Sequence, residues 1–278
     1  FFRTLFYSLG YFIYRWPLRR INRRHNKFLN DNIIFFSYLN RIKNINSQHQ
    51  VDIENQFGNL PQLISKMKIK TCWINHFVSD FNVQNPKKTK NILNQINEQE
   101  FNNFHDCFDS FLSYRLVLKV FKTYLFFYFK FYFKNGVENI FKLEDSHLSF
   151  WLLMKDDFYR SVSGIIAFKN IVWSYQIDAV LSKIPKQKLG IYLMENQGWE
   201  RALVHGWKVN GHQKLIAYQY GLFRYWDLRY YNFPTNKKYK QEGIFLDADI
   251  IATSGKYAYD LFCKMGYSEE VLEKVENL

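Results

Sequence analysis

Between Leu189 and Gln219 the chain carries two apolar runs of strand length, LGIYLM and KLIAYQ, joined by a segment whose apolar positions recur at helical spacing. On that helix Trp199, Ala202, Leu203, Gly206 and Val209 share one face and Arg201, His205 and Lys208 the other, and Gly211 is placed to stop it. Strands joined through a helix rather than a tight turn run parallel. Runs that are apolar throughout suit strands covered on both faces. This single unit therefore commits the surrounding chain to a parallel α/β sheet.

Other segments fit the same plan. Asn32 to Leu39 and Ile69 to Asn75 are apolar runs of strand length, and Gln62 to Met67, after Phe57-Gly58-Asn59-Leu60-Pro61, is helix-like. Asn85 to Phe104 is polar and Asn-rich, with Pro86 as a helix start, and reads as surface helix and loop. Ser146 to Leu181 reads as helical, carrying Trp151, Phe158, Ile165 and Ile166 toward a core. Ala248 to Thr253 makes a further strand, and Ser254-Gly255-Lys256 opens a helix that Gly266 caps. The expected organisation is a Rossmann-like domain over residues 31–241 with a helical insertion around 86–181. Residues 242–278 are expected to be a linker and the start of a second, nucleotide-binding domain that is cut short. The first residue is Phe1 and the last, Leu278, stands among polar residues, so the chain is read as part of a longer protein.

Lys and Arg number 38 against 25 Asp and Glu, a net charge of +13 that calls for an anionic partner. No acidic residue precedes Asp31, while Arg3, Arg15, Arg19, Arg20, Arg23, Arg24 and Lys27 stand among Phe, Tyr, Leu and Ile. Residues 1–30 therefore suit an anionic membrane surface. The apolar run from Leu5 to Tyr14 ends in basic residues instead of a cleavage site, and falls well short of the roughly 20 residues a membrane span needs. Farther on, Arg115, Lys119, Lys122, Lys130 and Lys134 fall within an arc of about 120° if that segment is helical. An interfacial helix, a core helix with lysines facing water, and a strand all remain open for it. The chain has no RNP, KH, zinc-finger or helix-turn-helix signature, so nucleic acid is not the expected partner. Cys72, Cys107 and Cys263 lie far apart and suit buried thiols in a reduced compartment. With no HExxH or CxxC spacing, no metal is expected.

In open parallel sheets ligands bind beyond the carboxyl ends of the strands. The candidates at those ends are Glu195, Asn196, Gln197 and Glu200 after one strand, and Gln219 and Gly221 after the next, with Arg224 in the loop beyond. Ser254, Gly255 and Lys256 follow the last strand, Asn75 and His76 an earlier one, and Ser37 and Tyr38 the first. Glu195 and Glu200 flank one strand-to-helix turn, where neighbouring carboxylates would raise one pKa into a range useful to a base. Glu200 has a bland role open to it as a cap on the helix dipole, and Glu195 as a structural ion pair. A structural role is also favoured for His76 and His212. Ser254-Gly255-Lys256 does not match the Walker pattern, but could hold a phosphate at a helix N-terminus.

Tyr192 to Glu200 (YLMENQGWE), Ile216 to Gly221 (IAYQYG) and Asp249 to Lys256 (DIIATSGK), with Phe36 to Tyr38, Phe57 to Pro61, Trp73 to His76 and His105 to Ser110, resemble bacterial surface carbohydrate biosynthesis proteins related to GT-B glycosyltransferases. The resemblance runs from about Ile33 onward. It departs at Tyr220, where the family commonly has a His. It implies a GT-B-like fold, a nucleotide-sugar donor held mainly by the second domain, an acceptor glycan held mainly by the first, and neither metal nor other cofactor. The implied activity is transfer of a sugar to a surface polysaccharide or lipid-linked glycan by a cytoplasmic enzyme, peripheral on the inner face of the cytoplasmic membrane. Glu195 or Glu200 would be the base, Asn196, Gln197, Gln219, Gly221, Asn75, His76 and Arg224 would meet substrate, and Ser254, Gly255 and Lys256 the nucleotide. With its second domain cut short the chain would be inactive alone. The other function open to such a chain is a non-catalytic, membrane-associated glycan-binding or assembly module.

Overall fold

A computed structural model of the chain describes residues 2–21, 33–39, 42–45, 48–51, 54–79, 85–99, 103–142, 148–219, 221, 228–231 and 247–275. After helix α1 (Phe2–Arg15) come strand β1 (Ile33–Leu39), the antiparallel pair β2 (Ile42–Ile45) and β3 (Gln48–Val51), and the short helices α2 (Glu54–Phe57) and α3 (Leu60–Lys66). Strand β4 (Thr71–Phe77), helix α4 (Pro86–Gln99) and strand β5 (Asn103–Cys107) follow. Three helices, α5 (Tyr114–Tyr132), α6 (Trp151–Ser163) and α7 (Ile165–Leu181), lead to β6 (Leu189–Met194), α8 (Gly198–Val209) and β7 (Lys214–Gln219). The described residues end with β8 (Ile250–Ser254), α9 (Gly255–Lys264) and β9 (Leu272–Val275).

Seven strands form one parallel sheet in the order β5-β4-β1-β6-β7-β8-β9, with helices on both faces, a Rossmann-like α/β fold. From β1 the chain first builds outward through β4 and β5, then returns to place β6 on the other side of β1 and builds outward again. The expected boundary after residue 241 does not divide this sheet. Strand β8 pairs with β7 through Ile216↔Ile250 to Tyr218↔Ala252, and β9 pairs with β8, so residues 250–275 extend the sheet that residues 33–219 begin.

Alternation along the strands sends two sets of side chains to opposite faces. Ile34, Phe36, Cys72, Ile74, Tyr192 and Met194 pack with residues of α7, α8 and α9, among them Ile177, Leu203 and Phe262. Phe35, Trp73, Ile191 and Leu193 pack with Phe57 and Ile64 from α2 and α3 on the other face. Leu39, Phe77 and Cys107 meet Leu93 and Ile96 of α4. Gly190 lets α8 approach: a Cβ there would lie 2.7 Å from the Trp207 ring and 2.9 Å from Leu215 Cδ1. Helix starts and stops follow local chemistry. Asn85 Oδ1 accepts from Lys87 and Lys88 N–H ahead of Pro86, Ser113 Oγ accepts from Leu116 N–H, and Gly211 and Gly266 end α8 and α9 at positive φ.

Several polar groups inside the sheet are paired across strands. Ser37 Oγ donates to Asn75 Oδ1 at 2.6 Å, Asn75 Nδ2 donates to the Asp106 carbonyl, and Thr71 Oγ1 donates to Asn103 Oδ1 at 2.7 Å. That explains how β5, whose sequence NFHDC looks like a loop, lies buried in the sheet. Segment 114–132 is a helix whose basic residues Arg115, Lys119, Lys122 and Lys130 are exposed, together with Phe126, Phe127 and Phe129. The expectation that Trp151, Phe158, Ile165 and Ile166 face a core is corrected. Helix α6 has no buried residue, Ile165 is half-buried and Ile166 exposed, because α6 packs mainly on α5, α7 and Phe141 while Phe168, Val172 and Ile177 of α7 enter the core.

Candidate functional site

The strand order reverses direction between β1 and β6. That is where an open parallel sheet leaves a crevice beyond its carboxyl ends, since the two connections depart to opposite sides. Tyr38, at the end of β1, and Glu195, just after β6, meet there: Tyr38 Oη donates to Glu195 Oε2 at 3.2 Å. Trp199 Nε1, on the first turn of α8, donates to Tyr38 Oη at 2.9 Å. Burial and the Glu195 charge push the Tyr38 hydroxyl up, so it stays protonated and remains a donor to the carboxylate. Gln56 holds the Tyr38 backbone, donating from Nε2 to its carbonyl at 2.8 Å. Glu195 itself is half-buried.

Glu200 sits beside this group but is differently employed. Its Oε1 accepts from the Glu195 and Gln197 N–H groups at 3.0 and 2.9 Å, and its Oε2 from Asn196 N–H at 2.9 Å. Burial pushes its pKa up to about 7, against the pull of those N–H bonds. A carboxyl near neutrality suits a base, yet this one is 2% exposed and both oxygens are occupied. Its place in the structure is that of a clamp on residues 195–197, where Asn196 takes a left-handed conformation with φ of 54°. Asn is among the few residues that tolerate it.

His76, next to Tyr38 across the β1–β4 register, is buried under aromatic rings: its centroid is 4.5 Å from both Trp199 and Phe108 and 5.9 Å from Trp173. Burial, with the Arg15 charge second, lowers its pKa to about 3, and Nε2 has no hydrogen-bond partner. A neutral imidazole so enclosed is a wall of the crevice. Asn75, expected to meet substrate, is corrected: it is fully buried and bonded to Ser37 and Asp106, so nothing of it faces a ligand. His212 is structural, with Nδ1 accepting from Gln187 N–H and Nε2 donating to the Leu181 carbonyl.

The next two strand ends form a separate group. Gln219 is 4% exposed and staples the tips of β7 and β8, with Oε1 accepting from Ser254 N–H at 2.9 Å and Nε2 donating to the Gly221 carbonyl. Gly221 and Lys256 are exposed, and Gly255 opens α9 at a φ of 78°. Gln197 ends the β6–α8 turn, its N–H given to Glu200. Arg224 and Tyr220 lie outside the described residues. Met194 and Gln219 are register partners, so both groups share one rim of the sheet. Neighbouring strands lie about 4.8 Å apart, which sets Glu195 and Ser254 on the order of 10 Å from each other.

Sequence reading missed a second feature of this rim. Arg15, at the end of α1, reaches over it: Nη1 donates to Asp109 at 2.8 Å and Nη2 to the Phe77 carbonyl at 2.8 Å, while Gln176 Nε2 donates to the other Asp109 oxygen. The helix so anchored forms with α7 a cleft of about 440 Å³. Trp173 lines it and touches His76. No signal in the sequence joins α1 to α7, because the contact arises from packing of Phe12, Tyr7 and Tyr11 around Phe168.

Among the described residues no group of three or more His, Cys, Asp and Glu side chains is placed to hold a metal ion, and no helix is long and apolar enough to cross a membrane. Neither a family model, nor a curated protein, nor a solved structure matches the chain.

Proposed function

We propose that this chain provides the acceptor side of a GT-B-type glycosyltransferase, which moves a sugar from a nucleotide-activated donor to a surface polysaccharide or lipid-linked glycan at the cytoplasmic face of a membrane. The observation that carries the reading is the half-buried Glu195 at the reversal point of the sheet, its carboxylate held by Tyr38 and through it by Trp199. In such a transfer the acceptor oxygen attacks the anomeric carbon, the bond from that carbon to the donor phosphate breaks, and the hydroxyl proton passes to a base. Glu195 is the base in this proposal, and Tyr38 a positioning residue. The tip of β8 with Ser254, Gly255 and Lys256 would face the donor. A carboxylate and hydrogen-bond donors suffice for this chemistry, so the proposal calls for no metal.

The membrane part rests on exposed side chains. Phe2, Phe6, Leu9 and Ile13 form an outward stripe on α1, and Leu118, Phe126, Leu152 and Leu153 stand exposed on α5 and α6, Leu152 at 87%. These helices pack with α7 as one group, and Lys119, Lys122, Lys130 and Lys155 are exposed among them. Apolar side chains mixed with lysines suit an anionic lipid surface. The same surface fits the second reading, a non-catalytic glycan-binding module on a membrane.

The test is sugar transfer in membranes by the complete protein. Glu195→Gln is expected to lower turnover by at least about 100-fold, as for loss of a general base. Tyr38→Phe is expected to lower it less and to shift the pH profile. Unchanged turnover in Glu195→Gln sinks the assignment, and normal polysaccharide in cells carrying it favours the binding module.

A further inference from the structure

The α1–α7 cleft is distinct from the Glu195 crevice and combines two kinds of group. Tyr7, Tyr11, Tyr14 and Trp173 supply ring faces and edges, and Arg15 and Lys169 supply charge. The two cations are not equivalent. Arg15 is neutralised by Asp109 at 2.8 Å, whereas Lys169 makes no ion pair among the described residues and rests its ammonium 5.7 Å from the Tyr7 ring centroid. The cleft therefore keeps one uncompensated positive charge against aromatic walls. Its volume of about 440 Å³ falls in the range of roughly 300–1,000 Å³ usual for small-molecule sites.

Gly10 marks the same place. At about 100° per residue it shares a face of α1 with Tyr7, Tyr11 and Tyr14. Glycine in a helix interior is unfavourable beside alanine, and it is tolerated where another group must pack close. Here a Cβ would meet nothing within 4 Å. Packing thus gives no reason for glycine at this position, and a large side chain there would stand in the cleft that Gly10 lines.

Ring faces take the C–H faces of a sugar, and a lone ammonium takes an anion. We infer that the α1–α7 cleft binds an anionic sugar, one bearing a phosphate or a carboxylate, with its ring against Trp173 and its charge on Lys169. The cleft adjoins the proposed base: Trp173 touches His76, His76 touches Trp199, and Trp199 holds the tyrosine that orients Glu195. Naming this ligand as part of the acceptor rests on the glycosyltransferase reading, but its binding does not require turnover.

Binding to the full chain is measured by calorimetry or saturation-transfer NMR with glucose 1-phosphate, glucuronic acid, glucose and inorganic phosphate as probes. The anionic sugars are expected to bind at least about tenfold more tightly than glucose and than phosphate, and Lys169→Gln to abolish the advantage over glucose. Trp173→Ala should weaken every sugar, and Gly10→Trp should block them all while thermal unfolding stays as in the wild type. Equal binding of glucose and glucose 1-phosphate, binding of phosphate as tight as of the sugars, absence of any binding, or binding that survives Gly10→Trp overturns the inference. If Glu195→Gln loses transfer while these affinities hold, both readings stand; if affinities hold and transfer is unaffected, only the catalytic one fails.

Discussion

Glu200 offers the sharpest test of how the rim is built. At pH 6 its carboxyl still holds its proton in the folded protein, since burial raises the pKa to about 7. Its three N–H bonds are then neutral ones, worth about 1 kcal/mol each. Glu200→Ala removes both acceptor oxygens, and with them all three bonds, and is expected to destabilise the fold by about 3 kcal/mol, lowering the melting temperature by roughly 6–12 °C for a chain of this size. Glu200→Gln keeps an oxygen where Oε1 receives two of the N–H groups and turns its amide toward Asn196 N–H, so about 1 kcal/mol is lost. The wild type adds a pH signature. An acid whose pKa is higher folded than unfolded retains, between about pH 4.5 and 7, a proton that the unfolded chain has released, so its stability contribution falls as pH rises through that window. The loss is limited to about 3 kcal/mol by the size of the shift. Glu200→Gln lacks this titration, so the wild-type advantage over it should shrink from pH 5 to pH 8. Urea unfolding followed by circular dichroism at several pH values measures all of this. If Glu200→Ala stays within about 0.5 kcal/mol of wild type, or Glu200→Gln is the worse of the two, the clamp described for residues 195–197 is wrong.

Three further outcomes follow from the same geometry. Arg15→Ala leaves Asp109, 1% exposed, with only Gln176, and should destabilise by about 3 kcal/mol in urea melts, with Asp109→Asn in the same background recovering part of it. Gly190→Ala drives a methyl into Trp207 and Leu215 and should lower stability by about 1–3 kcal/mol, a loss that Trp207→Leu in the same chain partly restores. His105 is buried with its pKa lowered to about 3, so below about pH 6.5 the unfolded chain takes up a proton that the folded one refuses; its contribution is intact above pH 6.5 and falls away with acid. Between pH 7 and pH 4 the wild type should lose about 3 kcal/mol more than His105→Phe, as read from acid-dependent urea midpoints.

The central unit was legible because its physics is local. Apolar runs at 189–194 and 214–219, a one-sided helix and Gly211 specify two parallel strands and their crossover, and all three elements occur within a residue or so of the expected ends. Strand β5 was not legible, because Asn103 and the Asp106 carbonyl bond to side chains of β4, contacts that no window of sequence contains. Residues 250–275 were read as the opening of another domain, because pairing with β7 is likewise a contact that no window of sequence contains. At the site, strand ends pointed to Glu195 and Tyr38 separately, while their contact and the burial of Glu200, Gln219 and Asn75 depended on tertiary packing. The α1–α7 cleft joins residues more than a hundred positions apart and has no periodicity of its own.

The paired polar groups of β1, β4 and β5 have one more effect. A slide of β4 by a single residue would turn Asn75 toward the opposite side and separate Ser37 Oγ, Asn75 Nδ2 and Thr71 Oγ1 from the atoms they now meet. Greasy neighbours would tolerate such a slide, whereas each stranded amide or hydroxyl costs about 1–3 kcal/mol. The trio thus works as an alignment key during assembly, rejecting offset pairings that hydrophobic contact alone would accept and bringing Tyr38 level with His76.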